Sequence, residues 1–271
     1  MRSRMRGVLS DAAMAFRGVP GVEVVDEGDL VRSWAPGRPA PYLHAVVRLD
    51  VVAERFAERV AAVEAPYRAA GLPTLWWLDD DTRPGDAADR LESLGIAASG
   101  GEAVMALLLD ARSLEVAQQA AERARAGGVA VRPVRSIEDL DAWVAAVAGA
   151  YGWTDPARAS LLRDLYDPRT AHGRDPRRTQ VVARLGGVPV GAASLFTAAG
   201  QGWVTNVGTV PAARGRGVGA AVTAACLALA AEQGHQEAWL AASAMGEPVY
   251  ARLGFTTIGR LEHHAGGATR R

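Results

Sequence analysis

The chain has 271 residues, 49% of them hydrophobic, and its thirty basic and thirty acidic residues cancel. That length suffices for one large domain or two of average size, and the balanced charge excludes the basic footprint of a nucleic-acid binder. The lone cysteine, Cys226, excludes an intrachain disulfide and a CxxC metal knuckle, and the five histidines show no paired ligand spacing, so no metal is expected. No run approaches the 18 apolar residues that a membrane helix needs. The opening "MRSRMRGVLSDAAMAFRG" is basic without an apolar stretch of leader length. The resulting expectation is a cytoplasmic protein without nucleic-acid or membrane partners.

In chain order, "YLHAVVRLD" reads as a strand, residues 52 to 70 as a helix, "PTLWWLDD" as a strand, residues 85 to 96 as a helix stopped by Gly95, and "AVMALLLD" as a strand. Trp76 and Trp77 alternate across their strand, so they face opposite sides. Residues 113 to 126 form a helix that ends at Gly127-Gly128, a natural stop. A new sequence of elements begins there: strand 129 to 134, helix 137 to 150 opened by Ser136, and a short helix near 157 to 166. Strands 179 to 185, 188 to 197 and 202 to 210 follow, with hairpin turns at Gly186-Gly187 and at 200 to 202. Helix 217 to 233 ends at Gly234, strand 237 to 243 leads to helix 246 to 253, and a last strand starts at Phe255. His263 and His264 read as a frayed tail. "RDPRR" (174 to 178) reads as a solvated loop, and Cys226 as a packing residue in the middle of its helix.

The order β-α-α-β-β-β-α-β-α-β describes a mixed α/β sheet, not a repeated βα barrel. The first half repeats the later part of this order. "GDAADRLESLGI" and "GEPVYARLGF" are both short helices that end Leu-Gly-hydrophobic. A duplicated domain follows, with residues 1–125 and 126–271 as its halves.

"TVPAARGRGVGAAV" (209 to 222) carries the chemistry. A strand that runs through a glycine turn into a helix exposes the first helical amides, and the helix dipole adds partial positive charge. Gly215, Gly217 and Gly219 let backbone approach a phosphate without a Cβ in the way. Arg214 and Arg216 can add charge, with Arg216 equally suited to face solvent. A tight turn with glycines for packing alone is the plain alternative. A Walker loop is excluded because the chain has no lysine. "GRGVGA" formally fits the dinucleotide fingerprint, but "PAAR" separates it from the strand, too little chain follows for that fold, and the next strand lacks the terminal acid.

"RGRGVG" (214 to 219) fits the R/Q-x-x-G-x-G/A signature of the GNAT superfamily of N-acetyltransferases, which this chain resembles over residues 129 to 262. "VYARLGF" (249 to 255) resembles the family's terminal tyrosine-bearing helix. For residues 1 to 125 the resemblance rests on element order and the "SLGI" ending. It implies two tandem acyl-CoA N-acyltransferase-like domains, the N-terminal one degenerate and without the cofactor turn. It further implies acetyl-CoA as cosubstrate, between strands 202 to 210 and 237 to 243. The pyrophosphate would lie on the amides of Gly215, Arg216, Gly217, Val218, Gly219 and Ala220, and the pantetheine arm along Val207, Gly208 and Thr209.

Tyr250 matches the family's general acid for the leaving thiolate, or else is a core aromatic. Ser243 either bonds the cofactor arm or ends its strand. No carboxylate lies on "QGWVTNVGTV". Thr205 and Asn206 are poor bases, and Glu247 and Asp155 are candidates from neighbouring segments. Tyr151 and Trp153 either wall the acceptor or close a helix pair. The expected activity is transfer of acetyl from acetyl-CoA to a small-molecule primary amine in a ternary complex, by a monomer or homodimer. A non-catalytic acyl-CoA-binding sensor is the alternative.

Overall fold

The computed structural model describes residues 16, 19, 21–38, 41–167, 169, 175 and 177–267. Most of the basic opening segment therefore lies outside the described residues, as does part of the loop at 174 to 178. The chain divides into two compact units: Met1–Glu102 with Gly259–Arg271, and Ala103–Ile258.

The elements run β1 (Glu23–Asp26), β2 (Val31–Trp34), β3 (Ala45–Val47), α1 (Phe56–Ala69), β4 (Pro73–Leu78), α2 (Ala87–Ser93) and β5 (Ala97–Leu108). There follow α3 (Ala111–Ala126), β6 (Val129–Pro133), α4 (Ile137–Tyr151), α5 (Pro156–Tyr166), β7 (Arg178–Leu185), β8 (Val188–Ala198) and β9 (Gln201–Thr209). The chain closes with α6 (Val218–Glu232), β10 (Glu237–Ala242), α7 (Glu247–Arg252) and β11 (Thr256–Gly267). From Val129 onward this is the expected order. β1 and β2 were not anticipated, because four-residue strands of mixed polarity give no period. "YLHAVVRLD" is strand only over Ala45–Val47, and Arg48, at φ 58°, turns the chain out of it. The hairpin after β8 turns on Ala199-Gly200, both at positive φ, so Gln201 already belongs to β9.

The first unit's sheet runs β1-β2-β3-β4-β11, antiparallel except for β3 and β4. The second unit's runs β5-β10-β9-β8-β7-β6, antiparallel except for β9 and β10. In each unit a run of antiparallel pairs, two in the first and three in the second, leads to one parallel pair, which is followed by an antiparallel strand. That shared pattern is the structural form of the repeat read from the two Leu-Gly endings.

The units do not divide at 125/126. Ala103–Leu108 pairs with β10, and α3 packs along α6, so 103 to 126 belong with the second unit. Conversely, Glu262–Gly267 pairs with β4. The last strand of each repeat thus completes the sheet of the other. The reason is the obligation of β4 and β10 to fill their free edges, which any strand of matching register can meet. This also corrects the frayed tail: His263 stands opposite Trp77 and His264 opposite Trp76 within paired strand, and His264 is buried.

Each unit has its own core. In the first, α1 lays Phe56, Val60, Val63 and Tyr67 against Trp76 and Leu78 of β4. Glu64, fully buried on the same helix, accepts from the indole nitrogen of Trp76 at 2.7 Å and the amide of Gly267 at 3.0 Å. In the second unit, Val222, Cys226 and Leu227 of α6 pack on Val181, Leu195 and Val204. Cys226 is therefore the packing residue expected, and burial pushes its thiol far above the usual range. Trp76 fills the first core while Trp77 points to the other face, where its ring meets that of His263 at 4.7 Å. Among the described residues no helix is long and apolar enough to cross a membrane.

Candidate functional site

The site is built on β9. Gly208 stands opposite Ala192 and Thr205 opposite Ser194, so Asn206 and Val207 together face the single residue Ala193. This is a β-bulge, and Asn206 takes the left-handed conformation at φ 53° that asparagine tolerates better than most side chains. The bulge deprives the Ala193 carbonyl of a regular ladder partner. The indole nitrogen of Trp143 on α4 donates to it at 3.0 Å.

On the other edge of β9, parallel pairing with β10 covers only Gly202, Trp203 and Val204, opposite Ala238, Trp239 and Leu240. Beyond Val204 the two strands are no longer paired, although β9 continues to Thr209 and β10 to Ala242. Thr205 to Thr209 therefore present an edge without a β10 partner. This is the opening expected between strands 202 to 210 and 237 to 243.

Two glycines bring helices onto this segment. A Cβ on Gly208 would stand 2.6 Å from that of Ala150 on α4, and one on Gly191 would stand 2.3 Å from Cγ1 of Val218 on α6. Gly208 is thus required by helix packing, a role the sequence did not disclose. The Tyr151 hydroxyl donates to the Val207 carbonyl at 3.3 Å, and its ring stacks on Trp153 at 5.6 Å. Tyr151 is half-exposed, so it does not close the helix pair as a core residue.

After β9, Pro211 opens a single 3-10 turn, Pro211–Ala213, and the chain reaches α6 through Gly215 and Gly217 at φ 79° and 76°. Gly217 is the N-cap of α6, and no side chain caps it. The first bond into the helix runs from the Ala221 amide to the Gly217 carbonyl at 2.9 Å, so the amides of Val218 to Ala220 have no acceptor within the helix. Nothing lies within 4 Å of the place a Gly215 Cβ would take. Arg214 and Arg216 are exposed beside it. The Val218 side chain is buried against the sheet, leaving only its backbone to face the turn. A bare, positively polarised cradle of this kind fits a diphosphate.

Tyr250 on α7 is 6% exposed, packs edge-on to Phe255 at 6.0 Å, and lies over Gly246, where a Cβ would meet its ring at 2.9 Å. Ser243 accepts the Gly246 amide on Oγ at 3.3 Å, and on its carbonyl the Gly246 and Glu247 amides at 2.8 and 2.9 Å. It therefore shapes the turn into α7. Asp155 and Glu247 are exposed.

The structure adds a polar group that strand reading passed over. Gln180, Ser194 and Thr205 stand directly opposite one another across β7, β8 and β9. The Asn206 amide donates to Ser194 Oγ at 3.4 Å and also interacts with the Tyr166 phenol of α5. Burial pushes that phenol above its ordinary value, opposed by the Arg178 charge and by Asn206. The Arg178 guanidinium lies over the rings of Phe196 and Tyr166 at 5.6 and 5.9 Å, and its side chain is only 5% exposed. "RDPRR" is therefore not wholly solvated. The available signal was polarity: Ser194 interrupts the apolar run of β8, whereas Gln180 follows the polar pair Arg178-Thr179 at the start of β7 and gives no such signal.

Comparison with known proteins agrees with this geometry. Residues 142–255 match the acetyltransferase (GNAT) family. A mycothiol acetyltransferase of Streptomyces bingchenggensis (strain BCW-1) is 37% identical over 135 residues, 48% of this chain and 44% of that protein. The match thus spans less than half the length of that relative. A GCN5-related N-acetyltransferase from Kribbella flavida superposes with a TM-score of 0.69 at 22% identity, covering 97% of this chain and 98% of the other. A tandem GNAT protein from the clavulanic acid biosynthesis pathway superposes with a TM-score of 0.57 at 16% identity, covering 97% and 88%. At these identities the two structures share the fold.

Proposed function

We propose, from the match of residues 142–255 to the acetyltransferase (GNAT) family, that the protein transfers an acetyl group from acetyl-CoA to a primary amine of a small molecule. The observation that carries this reading is the β9 edge that β10 leaves, Thr205 to Thr209, leading into an uncapped glycine turn. Gly215 to Ala220 would hold the diphosphate, and the Val207 to Thr209 edge the pantetheine arm. Acetyl-CoA supplies an acyl carbon activated by its thioester. When the amine nitrogen bonds to that carbon, the C–S bond breaks, the nitrogen gives up a proton to water and the sulfur takes one up, so the protons balance.

The chain's own groups serve that exchange in three ways. A backbone amide at the bulge is a fixed donor toward the acyl oxygen, a contribution worth about 3 kcal/mol for a preorganised donor. Tyr250 holds the proton for the departing sulfur, its ring fixed by Gly246 and Phe255. Asn206 and Tyr166 orient polar groups of the acceptor on the α5 side of the sheet. The N-terminal repeat, in which a one-turn 3-10 segment without glycine (Ala53–Arg55) leads into α1, serves as a degenerate acetyltransferase-like unit.

Calorimetry with acetyl-CoA, followed by turnover on a panel of amines, tests the proposal. Binding and turnover are expected, and no binding would defeat it. The absence of a carboxylate on β9 favours one other reading, an acyl-CoA sensor. Tight binding without turnover of any amine would select it.

A further inference from the structure

Tyr151, the last residue of α4, meets the open edge of β9 at one atom: its hydroxyl donates to the Val207 carbonyl at 3.3 Å. The direction of that carbonyl follows from the strand. The Val210 amide donates to the Val190 carbonyl of β8 at 3.0 Å, and Gly208 stands opposite Ala192. Bonded and non-bonded pairs alternate along an antiparallel ladder, so the Gly208 amide also faces β8. In a trans peptide the carbonyl points opposite to the amide that follows it. The Val207 carbonyl therefore points to the edge that β10 leaves, where a pantetheine arm pairing with the strand would bring an N–H.

The phenol reaches this oxygen from the side of the helix. Its ring lies on the α4 face of β9, 3.5 Å from the place a Gly208 Cβ would take. At 3.3 Å the bond is longer than the usual hydroxyl bond of about 2.7–2.8 Å, so it is a weak one. The backbone beneath it is fixed. The Gly152 amide bonds to the Ala148 carbonyl, and the Trp153 amide bonds to the same oxygen at 2.9 Å. The side chain is half-exposed, so release of the hydroxyl is a side-chain rotation with helix and strand left in place.

We propose that Tyr151 is a gate on the coenzyme edge: its phenol occupies the Val207 carbonyl in the free protein, and the pantetheine arm takes that acceptor over as it pairs with β9. The inference rests on the acetyl-CoA reading and adds to it a residue that acts against binding. A neutral hydrogen bond of this kind is worth about two- to tenfold in an equilibrium constant. Tyr151 acts through the Val207 carbonyl and on no reacting atom, so it is a positioning residue that sets coenzyme affinity.

The test is titration calorimetry on the full chain, parent and Tyr151→Phe, with acetyl-CoA, with coenzyme A, and with ADP, which carries the diphosphate without the arm. The variant keeps the ring and loses the donor, and its melting temperature reports that it has folded. Acetyl-CoA and coenzyme A are expected to bind the variant about two- to tenfold more tightly than the parent, with ADP affinity unchanged. Fluorine NMR of protein labelled with fluorotyrosine gives a second reading that needs no turnover. The resonance missing from Tyr151→Phe identifies Tyr151; it should shift with coenzyme A and stay in place with ADP. Weaker coenzyme binding in Tyr151→Phe would show that phenol and arm share the carbonyl, and would overturn the gate. Unchanged coenzyme binding, an equal gain for ADP, or a Tyr151 resonance indifferent to coenzyme A would overturn it too, while the acetyl-CoA reading stands. Failure of acetyl-CoA and coenzyme A to bind parent and variant alike would instead defeat that reading, and the gate with it.

Discussion

Alanine at Gly217 and alanine at Gly219 separate a coenzyme turn from a mere packing turn. Gly217 sits at φ 76°, where an L side chain is strained by about 1–2 kcal/mol, and its added Cβ would meet only ordinary contact, 3.6 Å from that of Ala124. Gly219 lies inside α6 without positive φ, its added Cβ 3.5 Å from Thr209 Oγ1, so alanine there should gain about 0.5–1 kcal/mol of helix stability. On stability alone the two changes have opposite signs and small size. A charge-assisted amide bond to phosphate is worth about 1.5–3 kcal/mol. Disturbing one such bond at Gly217 should weaken acetyl-CoA binding by roughly 10- to 150-fold, at about 1.4 kcal/mol per decade. Gly219→Ala, at the position where the family signature accepts alanine, should stay within about threefold of the parent, a shift below about 1 kcal/mol. Titration calorimetry with acetyl-CoA beside urea unfolding of each variant reads both quantities. Parental affinity in Gly217→Ala, or equal losses in the two variants, would refute the phosphate role.

Tyr250→Phe should lower kcat by about a hundredfold with little change in KM for acetyl-CoA, the usual scale for a lost general acid; full activity at every pH would refute the assignment. Gly208→Ala puts a Cβ 2.6 Å from that of Ala150. It should cost about 1–3 kcal/mol in urea unfolding and raise KM for acetyl-CoA as the bulged strand shifts; an unchanged midpoint would show that α4 does not press on β9. His44 is fully buried, and burial holds its imidazole below the ordinary value, opposed by its bond to the Arg38 carbonyl at 2.8 Å. Its folded pKa is depressed, so its contribution to stability is present above about pH 6.5 and is lost as pH falls toward the folded value. His263 is depressed in the same direction, and Glu102, raised by burial, acts with the opposite sign. The difference in unfolding free energy between the parent and His44→Gln, followed from pH 8 to 5, isolates His44. It should shrink as pH falls, and a constant difference would show that His44 does not titrate with folding.

The sequence by itself determined the elements after Val129 nearly to their ends, because their signals are local. Gly127, Gly186, Gly187, Gly234 and Gly254 stop helices or turn hairpins, and Ser136 caps α4 by accepting the Asp139 amide at 3.1 Å. The glycine turn was legible for the same reason: uncapped amides and positive-φ glycines are properties of a few consecutive residues. Tertiary structure decided what depends on partners distant in the chain. The bulge at Asn206 exists only in register with Ser194, and Gly208 is held by the approach of Ala150. Ser243 was assigned its turn by the amides that fold back on it. The exchange of final strands moved the boundary from 125/126 to 102/103, because a strand's hydrogen-bonding edge does not specify which repeat must fill it. The face that holds Tyr166, Arg178 and Gln180 likewise came from three strands and a helix meeting. Polarity along one strand can signal such a face, but only packing assembles it.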